Sequence, residues 1–139
     1  LCLTGWELGL SFRQLSKRTM EHVVAISRAL SDPNRIRIVA LLRDGQLCVC
    51  QIRAVLGLAM STVSRHVAIL THAGLVTGRR HGRWMYYMIN PRPSAVARAA
   101  MKWLEQYISE DRVILKDRHT LQRVLSMDKE QLCPRPKGR

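Results

Sequence analysis

Two cysteines separated by one residue, Cys48 and Cys50, are the side chains in this sequence best suited to coordination or redox chemistry. Soft thiolates select thiophilic metals and metalloids over hard cations. In a regular α-helix, positions i and i+2 point about 200° apart. Both sulfurs therefore reach one soft ion only where the backbone at the pair is non-helical. At the start of a helix, such a pair would couple ion binding to helix distortion, which is a workable switch. Taken alone, the pair also fits two packed, unreactive thiols. A third reading is oxidant or persulfide sensing, with Cys48 or Cys50 linked to a distant cysteine, because a disulfide closed within Cys-x-Cys would be strained. Cys2 and Cys133 lie near the chain ends and are the candidate third thiolates, from the same chain or a partner chain.

A second group of residues carries charge. The chain has 139 residues, with 23 Lys and Arg against 10 Asp and Glu, a formal net charge of +13. Residues 45–104 contain neither Asp nor Glu, yet hold Arg53, Arg65, Arg79, Arg80, Arg83, Arg92, Arg98 and Lys102. Cations without internal acidic partners do little for stability. They suit a phosphate backbone, where each contact releases condensed counterions. The same absence of acids argues against a cysteine nucleophile, since His66, His72 and His81 have no carboxylate nearby in sequence to orient them. With no paired carboxylates and no Gly-rich phosphate loop, the reading is a binding protein, not an enzyme. At 47% apolar residues the chain is too hydrophobic for a disordered basic tail. No apolar run approaches a membrane span, and no secretory signal stands out. Four cysteines are too few for a disulfide scaffold and fit a reducing compartment. A bacterial-type cytoplasmic protein with a nucleic-acid partner and no membrane partner is expected.

These groups need elements to position them. Residues 1–19 lack a clean period and read as a separate N-terminal arm. Val23, Ile26 and Leu30 form a helical stripe, which Ser31-Asp32-Pro33 interrupts while capping the next helix, running through Ile36, Val39 and Leu42 to Gly45. A short helix over 49–56 ends at Gly57, and another over 60–73 ends at Gly74. Val76–Arg80 and Trp84–Ile89 read as strands joined through His81-Gly82-Arg83. Residues 94–108 form an amphipathic helix with Val96, Ala100, Trp103 and Tyr107 on one broad face. Part of that face, with Val23 and Ile26, is the expected dimer interface. A weaker helix is expected over 109–127, with a mobile tail from Cys133. The predicted fold is mainly α with a small β-hairpin, a dimeric winged helix-turn-helix over residues 20–110 with a C-terminal extension over 111–139.

In the 60–73 helix, Val63, Val67 and Leu70 share an inward face, leaving Ser61, Arg65, Ala68 and His72 opposite, flanked by Thr62 and Ser64. Short hydroxyl side chains let a helix approach the major groove, and an arginine can bind a guanine edge in bidentate fashion. Arg79, Arg80, His81 and Arg83 at the hairpin tip suit a flanking backbone or minor groove. His66 lies toward the apolar side and reads first as a packed, hydrogen-bonded histidine; it is carried with the DNA-facing set.

These motifs resemble a known family. Gln46-Leu47-Cys48-Val49-Cys50-Gln51-Ile52 resembles the ELCVCDL metal box of ArsR/SmtB-type repressors. Ser61-Thr62-Val63-Ser64-Arg65-His66-Val67, with Leu70 and Gly74-Leu75-Val76, is similar to their recognition helix and its exit. Arg80-His81-Gly82-Arg83-Trp84-Met85-Tyr86-Tyr87 resembles their wing, and Ala29-Leu30-Ser31-Asp32-Pro33-Asn34-Arg35 their AL-DP-R opening. The resemblance covers roughly Glu21 to Ile108. It implies a homodimeric winged-helix repressor on a palindromic operator, released when As(III) or Sb(III) binds the box thiols, with no organic cofactor. The chain departs from the pattern in places. Arg53 stands where arsenic sensors carry a third cysteine, Gln46 and Gln51 replace acidic residues, and Ala59-Met60 replaces a Ser-Gln helix opening. The 94–108 helix contains no His, so the zinc ligands of other branches are missing.

Overall fold

Asp32 sits at a chain reversal and shows how local chemistry builds this fold. Its carboxylate accepts from the backbone N–H of Asn34 at 2.8 Å and Arg35 at 3.2 Å, with Pro33 at the first helical position. The Arg35 guanidinium reaches back to donate to the carbonyls of Ala29 at 2.6 Å and Arg28 at 2.9 Å. One residue thus satisfies carbonyls left open at the end of one helix while belonging to the next. The structure, a computed structural model, describes residues 7–133, with side chains from residue 18. Its elements are α1 (Glu7–Ala29), α2 (Pro33–Leu42), β1 (Leu47–Cys48), α3 (Val49–Leu56), α4 (Met60–His72), β2 (Val76–His81), β3 (Trp84–Ile89), α5 (Ala95–Ile108), α6 (Arg112–Leu125) and α7 (Lys129–Leu132).

The helix-turn-helix is α3 and α4, with Gly57 in the left-handed region at φ 68° ending the first. Gly74, at φ 75°, turns the chain from α4 into β2. Both conformations favour a residue without Cβ. The wing is the β2–β3 hairpin, paired from Val76↔Ile89 to His81↔Trp84. An additional short strand joins it: β1 pairs antiparallel with β3 through Leu47↔Tyr87 and Cys48↔Tyr86, so the sheet order is β1-β3-β2. The core is continuous across these elements. Ile38 and Leu41 of α2, Ile52 of α3, Val63, Val67 and Leu70 of α4, Leu75 and Val76 beside the wing, and Leu104 of α5 are all buried within it.

Several expectations are corrected. The helix α1 begins at Glu7, so it runs through the boundary expected between residues 19 and 20. Residues 1–6, including Cys2, and 134–139 lie outside the described residues. Ile26, expected at an interface between copies, is buried in the chain's own core, because α1 packs on α4 and α5. The expected helix over 109–127 is α6, but a further turn, α7, follows it. Together they fold back onto α2 and α3. Cys133, expected in a mobile tail, caps α7 and is bonded to Cys50. Among the described residues no single helix is long and apolar enough to cross a membrane.

Candidate nucleic-acid interface and thiol site

The packing of α4 decides which of its side chains are free. With Val63, Val67 and Leu70 fully inward, Ser61, Ser64, Arg65, Ala68 and His72 are exposed and Thr62 is half-buried. The exposed side of the helix carries small hydroxyl residues and one guanidinium near its start, as a groove-reading helix requires, with Met60 and Ile69 also exposed on it. Its N-terminus is bare: Ala59 occupies the N-cap and offers no side-chain hydrogen bond. His66 is half-buried on the flank, its Nδ1 3.5 Å from the Arg35 guanidinium that ties α1 to α2. That placement fits a packed histidine rather than one reaching for DNA.

In the wing, Arg79, Arg80, His81 and Arg83 are exposed. Gly82 turns the hairpin at φ 61°. Gly78 has a different part: a Cβ there would stand 3.0 Å from the ring of Tyr87, its cross-strand partner, a tight contact that the ring would have to shift to accept. The absence of a side chain lets the aromatic ring lie over the strand and stiffen the wing. The Arg83 guanidinium stacks 4.7 Å from the Trp84 ring and pairs with the carboxylate of Glu130 on α7. The preceding residue of α7, Lys129, donates to the Tyr86 hydroxyl and lies 4.8 Å over that ring.

The thiol pair sits where the sheet meets the helix-turn-helix. Cys48 is the N-cap of α3 with φ −82° and ψ 160°, an extended backbone, while Cys50 is in the first helical turn. The non-helical break that one shared ion demands is present. Both cysteines are buried, at 2% and 3% exposure. The Gln51 side chain accepts from the Cys48 N–H at 3.0 Å, so the glutamine that replaces an acidic residue serves as a neutral cap. Cys48 is a free thiol, whereas Cys50 is disulfide-bonded to Cys133 with their Cα atoms 5.5 Å apart. Among the described residues no three His, Cys, Asp or Glu side chains stand ready around a metal ion. The donor chemistry fits a soft thiophile, but Cys50 and Cys133 can both serve only after their mutual bond is reduced. The remaining candidate third ligand, Cys2, is not among the described residues.

The expected interface residues of α5 also differ in exposure. Val96 and Ala100 are half-buried, while Trp103 and Tyr107 are 57% and 69% exposed with ring centroids 6.2 Å apart. Val23 of α1 is 43% exposed. The residues that sequence reasoning missed are Glu130 and Lys129 on the wing, and Asp117, which holds Arg37. Their partners lie 43 to 80 positions away, with no local periodicity to signal them.

Residues 32–77 match the family model described as bacterial regulatory protein, arsR family. The chain is 33% identical over 97 residues to the arsenic resistance transcriptional regulator ArsR1 of Pseudomonas putida, covering 66% of this chain and 76% of that protein. It is 36% identical over 75 residues to the arsenical resistance operon repressor of Escherichia coli K12, covering 53% of this chain and 64% of the relative. Among solved structures, it resembles the homodimeric winged helix-turn-helix DNA-binding domain Mb0332 of Mycobacterium bovis, with 27% identity and a TM-score of 0.57 over 69% of this chain and 91% of that one.

Proposed function

The chain belongs to the ArsR family of DNA-binding transcription regulators, and from that premise we propose that it is a homodimeric repressor released from a palindromic operator by As(III) or Sb(III) at Cys48 and Cys50. The observation that carries this reading is the position of the thiol pair. Cys48 caps α3, the helix packed against the recognition helix α4, and pairs with Tyr86 in the strand that forms the wing. A change of backbone at Cys48 therefore bears on both DNA-contacting elements at once.

In this mechanism Ser61, Thr62, Ser64 and Arg65 read the major groove, while Arg79, Arg80, His81 and Arg83 hold flanking phosphates. Two copies of α4 reach successive grooves of a two-fold site. Arsenite exchanges hydroxide for thiolate, releasing one water for each As–S bond formed with a thiol. Drawing the sulfurs of Cys48 and Cys50 together pulls on the first turn of α3, which shifts α4 relative to its partner copy. A coupling of about 1–3 kcal/mol suffices for a roughly 5- to 150-fold loss of operator affinity. Cys133 and Cys2 remain the candidate third thiolates.

A second reading draws support from the Cys50–Cys133 bond. In it the signal is an oxidant: the two thiols give up two electrons and two protons to a peroxide, which leaves as two waters. One experiment separates the readings from each other and from a regulator with no metal response. Fluorescence anisotropy on the protein's own upstream DNA, under reducing conditions, is followed during titration with arsenite and, in parallel, zinc. Release at near-stoichiometric arsenite, with zinc inert and the response lost in Cys48→Ser, is the expected result. Arsenite release that survives in Cys48→Ser removes the box from the mechanism. Tight binding untouched by either ion, but relieved by peroxide once the reductant has been removed, favours the redox reading.

A further inference from the structure

The C-terminal extension touches the thiol site through Cys133 and the wing through Glu130 and Lys129, and its contact with the wing plays no part in either reading above. α6 is firmly seated: Ile114, Leu121 and Val124 are buried, and Asp117 accepts two hydrogen bonds from Arg37 at 2.7 and 2.9 Å. α7 is not. It is a single turn of four residues, capped by Asp128, with Leu132 as its one buried side chain. A turn of that length has no helical stability of its own. What holds it in addition is Cys133, bonded to Cys50 at the head of α3. So held, α7 places Glu130 on Arg83 and Lys129 on Tyr86.

Of the cations assigned to DNA contact, Arg83 is the one with a carboxylate partner among the described residues. Asp128, Lys129 and Glu130 together bring one net negative charge to the wing. A carboxylate on a guanidinium offers the same geometry as a phosphate oxygen. We propose that α7 is an autoinhibitory tether: with Cys133 linked to Cys50, Glu130 occupies the phosphate place on Arg83, and freeing Cys133 uncovers Arg83 for the DNA backbone. This rests on the reading of the wing as a DNA contact. The chemical step is thiol–disulfide exchange. A dithiol passes two electrons to the Cys50–Cys133 bond, both sulfurs take up protons as thiols, and the dithiol closes to a cyclic disulfide. The reduced protein is thus the better DNA binder.

The test compares wild type, Glu130→Gln, Cys133→Ser and the double variant, each full length, on upstream DNA at several salt concentrations, without reductant and with dithiothreitol. Without reductant, both variants are expected to bind roughly 3- to 10-fold tighter than wild type, with a salt dependence steeper by about 0.9 in log–log slope, the signature of one added phosphate contact. Dithiothreitol raises wild type to the same level. The double variant gains nothing over either single change, because both act through one contact. Equal affinity and slope for wild type and Glu130→Gln overturns the proposal, as does full additivity in the double variant. Hydrogen exchange across residues 129–133 and 81–86 gives a reading without DNA. Faster exchange in both segments on reduction supports release of α7, and unchanged exchange overturns it. Should no form bind the DNA, the repressor reading fails while the exchange experiment still decides the tether.

Discussion

At the scale of single residues, the ion pair with the most buried carboxylate among the described residues lies away from the proposed sites. Asp117 is a carboxylate only 4% exposed, gripped by the Nε and Nη2 of Arg37, while Nη1 of the same guanidinium donates to Asn34 at 3.2 Å. The hydrogen bond to Asp117 raises the Arg37 pKa further, against the opposing effect of burial. Such a pair adds little net stability over an apolar isostere, yet removing one partner leaves the other desolvated and uncompensated. Asp117→Asn is therefore expected to destabilise the fold by about 2–3 kcal/mol. Asp44 and Arg118 make a similar pair at 3.3 Å, but with both side chains more than a third exposed. Water screens that pair, so Asp44→Asn should cost less than about 1 kcal/mol. Circular-dichroism melts of the two variants side by side check the contrast. Equal shifts would mean that the Arg37–Asp117 pair does not anchor α6.

At the scale of elements, α4 is well packed and poorly started. Its N-cap Ala59 has the extended backbone of a capping residue, φ −66° and ψ 148°, but no side-chain oxygen. Ala59→Ser should stabilise the protein by about 0.5–1 kcal/mol, read as a rise in the urea midpoint at unchanged slope. No rise would show that the helix start is satisfied by something other than its cap. The same helix shows why much of this fold was legible in the sequence. Gly57, Gly74 and Gly82 all have positive φ, so the residues that punctuate the sequence also set the ends of α3 and α4 and the wing turn. Val63, Val67 and Leu70 fell inward because a 3.6-residue period leaves them no other common face. What stayed hidden had no period to read. β1 is two residues long and exists only through its pairing with β3. α7 is one turn, and its contacts with Arg83 and Tyr86, like the contact of Cys133 with Cys50, close over 43 to 83 residues. Such contacts depend on how α6 docks, which no local pattern encodes.

At the scale of the whole molecule, the unburied apolar surface and the charge pull against each other. Trp103 and Tyr107 on α5 are large and mostly exposed, as is Met20 on α1, the helix that packs against α5, where Val23 is partly exposed. Burying aromatic side chains of this size is a major source of interface energy, and the similar Mycobacterium bovis domain is homodimeric. In the proposed homodimer, pairing also brings together two chains of formal charge +13. Added salt screens that repulsion within a Debye length of about 8–10 Å. It equally displaces the protein from DNA by weakening counterion release. The two equilibria should therefore respond to salt with opposite signs, dimerisation strengthening and operator affinity falling. Trp103→Glu with Tyr107→Glu should give a monomer in sedimentation velocity with an unchanged far-ultraviolet spectrum, since neither side chain belongs to the chain's own core. The variant should lose most operator affinity, because one half-site contact cannot replace two held at fixed spacing. A variant that sediments as a dimer would place the two-fold contact elsewhere, and one that binds the operator as a monomer with wild-type affinity would break the link between the α5 face and the reading of successive grooves.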